Sequence, residues 1–190
     1  SWSHSWIWAL EAVDAMGGNK FSNGWKTISP IQKKLTDMMI ASGFGNEWHA
    51  ILDGWVTETP GGGGRHYRAR VEGAPVPGNT KLASRLARED EYTPEERQRL
   101  AEKPNAKIIR VQIETRGEGG YGLVEPSSGT VHPTGNPYVR IAGGPANIPA
   151  IDAEAMGAIR DICRMADTLP RDERAKTAPR PRREPPAGLV

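Results

Sequence analysis

The chain has a single cysteine, two phenylalanines and no apolar run near the ~18 residues a membrane helix needs. With Cys163 alone, an internal disulfide and a thiolate metal cluster are excluded. Cys163 reads as a small buried side chain on a helix, compatible with a reducing compartment. The opening, Ser1 to Leu10, is short and has no basic stretch ahead of its apolar residues, so it is not a signal peptide. Location in the cytoplasm, with no membrane, is the expectation. It also opens abruptly in aromatic residues, as a fragment of a longer chain does. Net charge is only +2, so nucleic-acid binding has to come from local clusters rather than from the total. No G-x-x-x-x-G-K-[ST] loop, no G-x-S-x-G elbow and no internal repeat occurs, which sets aside P-loop nucleotidases, α/β-hydrolases and solenoids.

Glycine (22) and proline (16) are plentiful, which predicts many turns. The composition changes near residue 170. Residues 1–169 read as one domain, and 170–190, rich in Pro and Arg, as a disordered tail or linker. Trp6 to Met16 reads either as a strand meeting acids at its end or as a helix. Glu11 and Asp14 share a face only on the helix. Ser29-Pro30 starts a helix with Ile31, Leu35, Met38 and Met39 at core spacing. A short helix over Asn46 to Leu52 turns Trp48 and Ile51 inward and makes His49 a surface or packing residue. Trp55 to Thr59 and Arg65 to Val71 read as strands. Arg85 to Asp90 reads as a solvated charge run. Thr93-Pro-Glu-Glu96 has the form of a capping box. Ile108 to Ile113 reads as a strand, and Tyr121 to Val124 resumes strand character. Tyr138 to Ile141 follows as a strand. Asp152 caps a last helix with Met156, Ile159, Ile162, Cys163 and Ala166 on one face.

Two clusters carry chemistry. Thr59-Pro-Gly-Gly-Gly-Gly64 is a bare turn that leads into Arg65, His66 and Arg68. Exposed N–H groups and cations close together suit phosphate. On a strand His66 and Arg68 share one face and Arg65 the other. The second cluster sets Glu114 and Arg116 at the end of a strand, before Gly117, Gly119 and Gly120. It suits a charged, phosphorylated ligand. The rival reading is a β-hairpin whose glycines only make the turn. His132 reads as a surface loop residue or as a ligand contact beside Ser127 and Ser128.

In this order, Thr59 to His66, Gly78-Asn-Thr-Lys-Leu-Ala83, Ile113 to Tyr121, Pro126-Ser-Ser-Gly129 and His132 to Tyr138 resemble the N-terminal domain of bifunctional DNA primase/polymerases, in the archaeo-eukaryotic primase superfamily. The resemblance covers roughly 10–169. It implies an α+β domain with a mixed or antiparallel sheet, flanking helices and a site in a groove between two subdomains. It also implies an N-terminal truncation, because little chain precedes Glu11. The implied activity is template-directed nucleotidyl transfer from nucleoside triphosphates on DNA, in phage or plasmid replication, beside a helicase module. Mg²⁺ or Mn²⁺ would sit on Glu11, Asp14 and Glu114. His66 would contact the triphosphate, with Arg65, Arg68, Lys81, Arg116, Ser127 and His132 around the nucleotide. The family's first motif is acid-x-acid, and here Glu11 is followed by Ala12 and Val13 before Asp14. That departure leaves open a catalytically impaired remnant that only binds nucleic acid. An unrelated β-rich interaction module is the third possibility.

Overall fold

The computed structural model describes residues 6–13, as the backbone of one strand, and residues 30–170. The protein is α+β, as expected. One mixed sheet joins β1 (Trp6–Val13), β2 (Val56–Glu58), β3 (Gly64–Glu72), β4 (Thr80–Leu86), β5 (Ile109–Arg116), β6 (Val139–Ala142) and β7 (Ala150–Asp152). The order is β4-β5-β1-β3-β2-β6, all antiparallel, and β7 pairs in parallel with the far end of β3.

Helices α1 (Pro30–Ala41), α2 (Gly45–Asp53) and α4 (Ala153–Arg164) pack on one face of this sheet. The sequence dictates that face. Tyr67, Ala69 and Val71 alternate along β3 and are buried, as are Val56, Ile113 and Ile151 on neighbouring strands. Leu35, Met39, Trp48, Ile51, Met156, Ile159, Ile162 and Cys163 come from the helices to meet them. Burial pushes the Cys163 thiol up to about 12, so it stays protonated and acts as packing. Gly43 (φ 84°) turns the chain out of α1, a conformation that costs other residues a Cβ clash. Asp152 caps α4 by accepting the Ala155 N–H at 2.8 Å.

Helix α3 (Pro94–Glu102) lies outside this core, between β4 and β5. Its capping box forms as the sequence predicts: Thr93 Oγ1 accepts the Glu96 N–H at 3.2 Å, and Glu96 accepts the Thr93 N–H at 3.0 Å. Arg110 then donates two hydrogen bonds to Glu96 and ties the helix to β5. Thr93→Ala is expected to lower stability by about 1 kcal/mol, read as a shifted urea midpoint with unchanged slope.

Three expectations are corrected. The Arg85–Asp90 run is not a solvated face throughout. Its first residues continue β4, and Arg85 makes two short hydrogen bonds to Glu91. Those bonds hold the Glu91 carboxyl down at about 2. Residues 121–124 form no strand, and the Glu114–Gly129 stretch is no hairpin. The reason is topological. β5 already has β1 on one side and β4 on the other, so no edge is left for a returning strand. The chain instead runs as a long loop, 117–138, across the sheet. Finally, the candidate site lies between the sheet and this loop rather than between two subdomains.

Candidate functional site

The second face of the sheet has no helix layer from α1, α2 or α4, and β3 and β5 bring His66, Arg68, Arg70, Glu114 and Arg116 to it. The strand assignment of 6–13 settles the ambiguity at Glu11, because the ladder register is explicit. Glu11 pairs with His66 on β3 and with Glu114 on β5. Glu114 pairs onward with Lys81 on β4. His66 pairs with Thr57 on β2, and Thr57 with Arg140 on β6. Directly opposed residues in a ladder share a face, with Cα atoms about 4.5–5.5 Å apart. One level of the sheet therefore reads Lys81, Glu114, Glu11, His66, Thr57, Arg140 across adjoining strands. At the next level on this face, Ala9 stands between Arg116 and Arg68. Asp14 lies outside the described residues.

Glu114 is ion-paired with Arg116, two residues along the same strand face. His66 is buried, and its ring lies 5.9 Å from that of Tyr138 at a tilt of 39°. Beside this pair a cleft of about 320 Å³ opens, walled by His66, Tyr138, Arg116 and Asn79 and by the loop from Gly119 to Leu123. Two glycines of the loop are tightly placed. A Cβ on Gly117 would run into the Pro77 carbonyl, and one on Gly120 into the Asn79 side chain. Asn79 Oδ1 also accepts the Gly117 N–H at 3.3 Å.

Glu125, which the sequence did not single out, fastens the loop to the sheet. It accepts hydrogen bonds from Trp55 Nε1 (2.8 Å), Thr57 Oγ1 (2.7 Å) and Arg140 Nε (2.6 Å). Burial pushes its carboxyl up, but the bonds from Thr57, Arg140 and Trp55 outweigh that and hold it at about 2. Arg68 joins the network by donating to Thr57 Oγ1 at 2.8 Å and lying over the Trp55 ring at 4.0 Å. Burial lowers the Arg68 pKa, and the charge of Glu125 opposes that shift. No local pattern in the sequence marks Glu125. Its partners come from positions some seventy residues upstream and fifteen downstream.

The remaining candidates are placed as follows. Arg65 lies on the helix face and donates to Gln32 of α1 at 2.9 Å, away from His66. Arg68 is on the His66 face but is engaged by the Glu125 network. Lys81 is exposed at the end of the row. Ser127 shapes the loop through its backbone, accepting the Tyr138 N–H at 2.8 Å. His132 bonds Thr134 and sits by Gly61, where Thr134 and Asn136 both donate to the Pro60 carbonyl. Neither Ser127 nor His132 walls the cleft. His66, Glu114 and Arg116 are thus brought together, with Glu11 placed between the first two by register.

The backbone register places position 11 beside Glu114 on adjoining strands. Among the described side chains no group of three His, Cys, Asp or Glu gathers. No helix of the described residues is long and apolar enough to cross a membrane. No protein-family model matches the chain, and neither a curated protein nor a solved structure does.

Proposed function

We propose that this protein is a DNA primase/polymerase, a template-directed nucleotidyltransferase of the kind that serves phage or plasmid replication. The observation that carries the proposal is the single level across β5, β1 and β3 that sets Glu114, Glu11 and His66 side by side. A bound Mg²⁺ or Mn²⁺, held by Glu11 and Glu114, would supply activation of the attacking 3′-hydroxyl and stabilisation of the leaving pyrophosphate. Arg116 and His66 would orient the triphosphate from the cleft wall, and Lys81 would add positive charge at the row's outer end. Positioning of this kind supplies much of the rate in phosphoryl transfer. The DNA template would lie along this face beyond the row, and a helicase module would deliver it as a single strand.

A second reading, a nucleic-acid-binding remnant without activity, is favoured by one observation. Val13 stands two residues after Glu11, at the position where an acid-x-acid motif would place its second acid. Primer extension and primer synthesis on a DNA template, with Mg²⁺ or Mn²⁺, decide between the two. Synthesis by the wild type is expected, with His66→Ala slower by about 10²-fold, as for loss of one donor to developing charge. Template binding without synthesis by the wild type would leave only the remnant.

A further inference from the structure

We propose that Tyr121 is a base-stacking platform, and that the cleft beside it holds a nucleoside triphosphate with the base against the Tyr121 ring and the phosphates at Arg116 and His66. This rests on the nucleotidyltransferase reading and extends it to a specific ligand-binding residue.

Tyr121 is 86% exposed, and it is the one aromatic among the large apolar side chains left in solvent in the described residues. The others, Ile40, Val131, Val139 and Met165, are aliphatic. An exposed tyrosine presents a flat apolar face with a polar tip, the kind of side chain enriched where a ligand or partner packs. Its neighbours leave the approach clear, since a Cβ added at Gly119 or Gly122 would meet nothing within 4 Å. The loop is also held from both ends, by Asn79 at Gly117 and by the Glu125 network. A ring on a fixed loop loses little freedom on binding.

The cleft chemistry selects the ligand. Among the described residues, its wall includes the guanidinium of Arg116, which is ion-paired with Glu114, and the ring of His66. Arg116 at one end suits an anion and Tyr121 at the other suits a flat ring. The volume, about 320 Å³, lies at the small-molecule end of binding sites. Base stacking on an aromatic side chain is tolerant of sequence, as a polymerase that accepts every base requires.

The test compares ATP, inorganic tripolyphosphate and a single-stranded DNA oligonucleotide in titrations with Mg²⁺ present. Wild-type protein is expected to bind ATP more tightly than tripolyphosphate. Tyr121→Ala is expected to weaken ATP about tenfold and leave tripolyphosphate unchanged, while Tyr121→Phe keeps wild-type affinity. An unchanged ATP affinity in Tyr121→Ala overturns the proposal, as does an effect on the oligonucleotide alone, which would give the ring to the template. Wild-type protein that binds neither ATP nor tripolyphosphate would overturn the nucleotidyltransferase reading itself.

Discussion

Glu114→Gln is expected to reduce nucleotide addition by at least about 10³-fold, since a lost metal ligand removes several kcal/mol of transition-state stabilisation and each ~1.4 kcal/mol is tenfold in rate. The substitution keeps the side-chain shape and strand position and removes only the charge. The Glu114–Arg116 pair is partly exposed, so its loss should cost folding no more than about 1 kcal/mol. Arg116 then faces a neutral amide in place of a carboxylate at the cleft wall. Affinity for tripolyphosphate without metal should therefore hold while turnover collapses. A structural role for Glu114 would instead lower stability and binding together. Primer extension read beside a urea melt and a tripolyphosphate titration separates the outcomes. A variant with a tenth or more of wild-type turnover would remove Glu114 from the chemistry.

The parts of this arrangement that could be read from the sequence are those set by local rules. The Thr93–Glu96 capping box, the Asp152 cap, and the buried faces of α1, α2 and α4 follow from helical spacing and from residues that satisfy helix-end N–H groups. The alternation that separates His66 and Arg68 from Arg65 and Tyr67 is equally local. What could not be read depends on which strands become neighbours. The hairpin expected after Glu114 fails because β1, from the far end of the chain, occupies the edge of β5 it would need. Strand β7 is three residues long and pairs in parallel with β3 across some eighty residues of chain. The position of Glu11 beside Glu114 and His66 is likewise a matter of register, which a string of residues does not carry. Arg68 illustrates the same limit within the site. Its face follows from alternation, but its engagement by Trp55 and Thr57 depends on where the loop lands.

Glu125→Ala is expected to be the most disruptive substitution outside the hydrophobic core, at about 3 kcal/mol or more, because it strips a buried charge network of the one acid among its described members. The Glu125 side chain is 8% exposed and holds Trp55, Thr57 and Arg140 together. Without it, Arg68 keeps a buried guanidinium with no neutralising partner in that network, and the Trp55 N–H loses its acceptor. The loop carries both Tyr121 and Tyr138, so its release dismantles the cleft while leaving the helix face packed. Amide exchange should accelerate over 117–138 and not in α1, α2 or α4. Uniform acceleration across the chain would show that the network supports the whole fold rather than the loop. Acid should reproduce the effect in the wild type. The Glu125 carboxyl is held at about 2 against an ordinary value of 4.5, so the folded form binds its proton less readily than the unfolded one. Its stabilising contribution is complete above pH 4.5 and is lost as pH falls toward 2. Glu91 and Glu96 are also held at about 2, by Arg85 and Arg110, and titrate over the same window. Those two act on β4 and α3, so loop amides report Glu125 separately. Glu125→Gln, which cannot titrate, should show no additional opening of 117–138 between pH 4.5 and 2, and a loop that still opens there would assign the acid sensitivity to another group.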